Sequence, residues 1–292
     1  MRPERIGEMR GRAGLAAPLL IALALAVVFA ASATATAPPD AGLIGLDSVS
    51  IVPKSGGVDS FDSSLGPYGP SNHGTAALVA SNGLVSIGAP PFAGDVVSTQ
   101  GSVRLTTSAA VVTGNVTAGG TVSNPGHIDG TVTESSPSPA ISAPSVAACG
   151  APYSARTGIS GRDFVYSRRT GSLTVFSHGT VRLANSVYCF HNVLLSTDTR
   201  LKVTGPVTIN LTGTLVAPTA KIINAADVPA DLSISSSYSG AGGVAIGGGA
   251  HAYMTILAPR TAVTVVGGSF FGRIFAQTLK VRGAAAIHVD VH

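Results

Sequence analysis

The chain of 292 residues has no tryptophan, 5% aromatic residues and 11% charged ones. Without Trp, sugar-stacking platforms are limited to a few Tyr and Phe. Beyond residue 37 there is a single glutamate, Glu134, and the aspartates from Asp95 to Asp290 stand singly. A glycosidase needs two carboxylates at a fixed separation, and a polysaccharide lyase needs a strong base with cations to neutralise a uronate. Neither set is visible, so catalytic residues are read as none. Leu, Glu and Lys are too sparse for a helical bundle, and no long apolar run follows residue 31.

What is abundant is glycine (36 residues) together with Ala and Val, at 45% hydrophobic content. That hydrophobicity argues against disorder, which needs low hydrophobicity and high net charge. Small and β-branched residues suit narrow, stacked β layers.

Residues 1–37 read as an export signal. Arg2, Arg5, Arg10 and Arg12 precede an apolar run from Ala13 to Ala31, and Ala33-Thr34-Ala35 supplies small residues for cleavage. The alternative is an uncleaved N-terminal anchor, since the run approaches the ~20 residues that span a bilayer. Both readings put the rest of the chain in an extracytoplasmic location, with membrane contact only through this segment. Taking away the four Arg and two Glu of residues 1–37 leaves 14 basic and 12 acidic side chains. No basic cluster denser than Arg168-Arg169 is visible along the sequence, so nucleic acid is not an expected partner.

Residues 244–291 repeat themselves. Val244-Ala-Ile-Gly-Gly-Gly is echoed by Val263-Thr-Val-Val-Gly-Gly, and Ile256-Leu257-Ala258 by Ile274-Phe275-Ala276. A period near 20 of β-branched triplets and glycine corners is what a coiling chain needs. Similar triplets, Gly94-Asp-Val96, Gly114-Asn-Val116 and Gly130-Thr-Val132, extend the rhythm towards the N-terminus. The expected fold is all-β, a parallel β-helix (β-solenoid) in two blocks, with an antiparallel β-sandwich as the alternative. Boundaries follow composition. Residues 38–74 are an extended lead-in, 75–133 the first block, 134–158 a Pro/Ser-rich connector and 159–292 the second block.

Three constellations bear on chemistry. Asp59 and Asp62 lie beside hydroxyls but lack the spacing of a calcium loop, and read as a turn. His288, Asp290 and His292 alternate on one side of the last strand, where a fraying end favours solvated surface over a metal site. No metal or cofactor is therefore expected. Cys149 and Cys189 are the only cysteines. An even count in an exported chain favours a disulfide between them, against a buried Cys189 with a free Cys149.

Tyr188-Cys-Phe-His-Asn-Val193, Val203-Thr-Gly-Pro-Val-Thr-Ile-Asn-Leu-Thr-Gly213, Phe271-Gly-Arg-Ile-Phe-Ala276 and Ile287-His-Val-Asp290 carry a family resemblance. They resemble an uncharacterised bacterial family of exported β-helical envelope proteins, often similar to pilus-assembly or minor-pilin-like components. The resemblance implies a right-handed β-helix with a structural role, and partners among envelope or pilus components or in self-association. A polysaccharide is the alternative partner. The chain departs from the family at Ala285-Ala286 and at its end, so the final turn is expected to fray or to be capped differently.

Overall fold

The computed structural model describes residues 42–88, 91–150, 153, 158–247 and 251–292. The leader of residues 1–37 lies outside the described residues. The fold is all-β with a parallel-strand sheet, and among the described residues the helical elements are 3-10 turns at Ser63–Leu65 and Pro229–Asp231. Among the described residues no helix is long and apolar enough to cross a membrane. Among the described residues two strand pairings, Ile159–Ser167 with Ser172–Phe190 and Val58–Phe61 with His73–Gly74, are antiparallel. The ladders are otherwise parallel, which removes the sandwich alternative.

Alternation drives each strand. In Arg200–Leu211 the side chains of Leu201, Val203, Val207 and Ile209 turn inward and are at most 2% exposed. Val, Ile and Leu recur inward along three parallel ladders. One ladder runs Leu173, Val193, Leu215, Val244, Val263. A second carries Val181, Leu201 and Ile222 side by side. A third runs Tyr188, Ile209, Ile234, Ile256. Corners between ladders demand positive φ, and Asp163, His178, Asp198 and Asp227 adopt it, residue types that tolerate the left-handed region better than most. Gly272 is needed for a different reason. Its φ is +139°, and a Cβ there would meet the Met254 carbonyl oxygen at 2.0 Å.

The order of strands in the stack is not the order of the chain. Leu43–Ser55, within the stretch read as a lead-in, is a 13-residue strand with partners on both sides. Leu43 pairs with Ile274 on one side and with Val79 on the other. The C-terminal block thus abuts the strand that starts at Leu43, and the stack continues through Val79, Val96, Val116 and Val132. Both blocks belong to one sheet. The last strand is not frayed. Ile287 and Val289 are fully buried, because Val58–Phe61 pairs along them.

This arrangement requires the connector to return alongside the stack. Ser138 N–H donates to Thr99 O, and Ile141 exchanges two hydrogen bonds with the Asn82 side chain. Ile141, 7% exposed, packs against Ile44, Ala80 and Phe275. Cys149 then closes a disulfide with Cys189, with Cα atoms 5.8 Å apart. The lengths agree. The eleven residue steps from Ser138 to Cys149 cover about 36 Å at ~3.3 Å each. The outward positions Val97, Ala80, Ile44, Phe275, Leu257, Ser235, Asn210 and Cys189 span about 34 Å at ~4.8 Å per rung. Replacing Ile141 by Ser should lower stability by about 2 kcal/mol, the worth of burying one such side chain. It should also make the connector cleavable in limited proteolysis at protease levels that leave the parent chain intact.

Candidate functional site

The two acidic and histidine motifs meet. Pairing of Val58–Phe61 with the last strand sets Asp59 beside His288 and Phe61 beside Asp290. His288 Nδ1 lies 2.6 Å from Asp59 Oδ1, and the Tyr68 hydroxyl donates to Asp59 Oδ2 at 2.7 Å. An ionised carboxylate only accepts, so it holds the imidazole proton on Nδ1. The Tyr68 ring packs against His288 at 3.9 Å between centroids and Phe271 packs against it at 4.6 Å, with Tyr68 and Phe271 themselves 5.4 Å apart. Tyr253 stacks on Phe271 at 4.2 Å. Rings one rung apart in a parallel ladder meet nearly face to face, which explains the column.

The loop following Phe61 closes over this column. Asn72, 8% exposed, donates to the carbonyls of Asp62, Gly66 and Pro67 and accepts from Gly69 N–H. Asp62 accepts from the hydroxyl and the N–H of Ser64, which lowers its pKa. Asp290, 4% exposed, accepts from Ser63 N–H and Ser63 Oγ at 3.1 and 2.9 Å. Arg273 stands 3.8 Å from it and donates through Nε to its backbone oxygen. His292 Nδ1 is 3.9 Å from Asp62. The solvated end expected for His288 and Asp290 is therefore corrected: the strand pairing and the loop bury them. Only His292 is exposed.

The chemistry open to this cluster is limited. A His–Asp dyad resembles part of a hydrolytic triad, but the nearby hydroxyls are engaged. Ser63 Oγ donates to Asp290, and Ser60 Oγ accepts from Ala76 N–H. Among the described residues no three His, Cys, Asp or Glu side chains are grouped to hold a metal. Asp95 lies beside Leu78 in one ladder, whereas Asp129 follows His127–Ile128 in another, so they form no carboxylate pair. The carboxylate of Glu134 accepts from Val122 N–H.

Tyr68 offers a spectroscopic handle. Burial, followed by its hydrogen bond to Asp59, pushes its pKa up to about 12. Tyr188 and Tyr253 are also raised, by burial first. A folded pKa above the unfolded value near 10 stabilises the fold fully below pH ~10, and this stability is lost as pH rises through about 12. Tyr68→Phe should remove one late-ionising phenol from an ultraviolet titration and reduce the loss of stability between those limits. Loss of a phenol that titrates near pH 10 instead would show that Tyr68 ionises normally.

A second convergence went unseen along the sequence. Thr180 pairs with Arg162 and Arg200, and Arg200 pairs with Lys221. Arg182 pairs with Ser160 and Lys202. Five cations from four strands therefore share one outward surface, and the expectation of nothing denser than Arg168-Arg169 is corrected. Apart from Arg200 and Lys202, two residues apart on one strand, they stand about 20 residues apart in the chain and become neighbours only when rungs stack. Superposing the sequence on its own 20-residue period would have revealed them.

The disulfide joining Cys149 and Cys189 is formed as expected. Such bonds persist in oxidising compartments and are rare in a reducing cytosol, which points to extracytoplasmic surroundings. Comparison with family models, characterised proteins and solved structures finds no match for the chain.

Proposed function

We propose that the protein is a non-enzymatic, exported structural or adhesive module of the bacterial cell envelope, built as a right-handed parallel β-helix. The observation that carries this reading is one stack, assembled from two chain blocks and strapped along its side, whose acid and histidine groups serve its own packing. Three parallel ladders joined by short corners support the β-helix, and right-handed crossovers between parallel strands prevail almost without exception. The arginine-rich start and apolar run of residues 1–37 supply the export signal.

Envelope or pilus components are the partners in this reading, following the resemblance noted above. Polymerisation through the ends is the weaker variant. Among the described residues one end is covered by the antiparallel strand Ile159–Ser167, and the other carries the two-residue strands Val122–Ser123, His127–Ile128 and Val132–Thr133. Short edges and covering segments limit edge-to-edge pairing. The test is to incubate the purified protein with a panel of neutral and acidic polysaccharides. No new reducing ends and no unsaturated uronate should appear. Turnover that disappears in Asp59→Ala or His288→Ala would overturn the non-enzymatic reading.

A further inference from the structure

We propose that the outward surface carrying Arg162, Arg182, Arg200, Lys202 and Lys221 binds an acidic polysaccharide. The proposal rests on the adhesive reading above and gives it a ligand class. Its geometry follows from alternation. Val181, Leu183, Leu201 and Val203 are fully buried, so the residues between them and beside them, Thr180, Arg182, Arg200 and Lys202, must face outward. One column runs Arg162, Thr180, Arg200, Lys221, and its neighbour runs Ser160, Arg182, Lys202. Successive rungs are ~4.8 Å apart, and the two columns are separated by two residues of strand, about 7 Å.

The cations are held close without neutralisation. Among the described residues no ion pair joins any of the five to a carboxylate. Asp163 and Asp198, near in sequence, sit at positive-φ corners rather than on the two columns. Like charges facing each other across a ladder destabilise it, and nothing in the packing requires cations here. A local rule broken without structural gain marks a functional surface. Ser160, Gly161 and Thr180 line the same shallow groove with small polar groups.

The shape of the charge selects the ligand. Two columns running along the stack suit an extended polymer with an anionic group on each sugar, laid across successive rungs. Arg guanidinium binds a carboxylate or sulfate through two parallel hydrogen bonds. An oxidising setting favours a surface glycan over nucleic acid, and a groove lined by Ser, Thr and Gly lacks the apolar residues that insert into a lipid surface.

The test measures binding of the purified full chain to immobilised polygalacturonate, with neutral dextran, anionic phosphatidylglycerol vesicles and duplex DNA as parallel arms. Polygalacturonate should be retained and dextran should not, and retention should weaken as salt shortens the screening length. Arg182→Glu with Lys202→Glu should weaken binding by about tenfold or more. Arg104→Glu with Arg282→Glu, on another ladder, should change it by less than about twofold. Circular dichroism and the unfolding midpoint verify that both variants are folded. Equal binding to dextran, indifference to the charge reversal, preference for vesicles or DNA, or no binding at all would overturn the proposal. Cleavage of the polymer with the binding pattern intact would instead overturn the non-enzymatic reading and leave the site standing.

Discussion

Replacing Cys149 and Cys189 together by Ser is expected to lower the unfolding free energy by about 4 kcal/mol, the chain-entropy value for a closed loop of 40 residues. The bond ties the far end of the connector to the strand Ser172–Phe190, several rungs from where the connector leaves the stack at Ser138. Cutting it leaves noncovalent anchors, among them the Ile141 and Asn82 pair and the Ser138 hydrogen bond, to hold the return segment. The denaturant midpoint of the oxidised parent chain should therefore fall sharply in the Cys149→Ser/Cys189→Ser variant. Protease cleavage should appear first in the connector. A variant that keeps the parent midpoint would mean that the strap is held by its noncovalent anchors alone.

The second large effect lies at the junction of the blocks. Leu43→Ala should cost 2–5 kcal/mol, the range for truncating a buried Leu that leaves a cavity. Leu43 is fully buried between Ile274 and Val79, so its loss loosens a strand that both blocks share. Hydrogen exchange should accelerate in Ala77–Ser81 and in the last strand near Ile274 together. Faster exchange confined to Leu43–Ser55 would show that the blocks hold their structure independently, and the account of one cooperative stack would fail.

Much of this was legible along the chain. Period-2 alternation in Val207-Thr-Ile209-Asn-Leu211 and the echoes near 20 residues in 244–291 are local signals, and they mark parallel strands with glycine or aspartate corners. The cysteine pair was legible too, because two cysteines permit one pairing. The position of Leu43–Ser55 was not. Its apolar residues identify a strand, but nothing local says that its partners lie about 230 residues downstream on one side and about 36 downstream on the other. The burial of His288 and Asp290 escaped for the same reason: the Tyr68 loop that covers them is remote in sequence.

The feature that the sequence concealed most fully is also the one with the clearest chemistry. Arg162, Arg182, Arg200, Lys202 and Lys221 are unremarkable in a window of ten residues, where charge density stays low. By itself the sequence determined the all-β class, the repeat length, the inward residues and the cysteine pair, because each depends on spacing within one or two strands. Only the tertiary structure decided the order of the rungs, the path of the strap and the gathering of five cations. In a parallel stack neighbours are set by hydrogen-bond register between distant segments, and that register is a property of the assembled sheet.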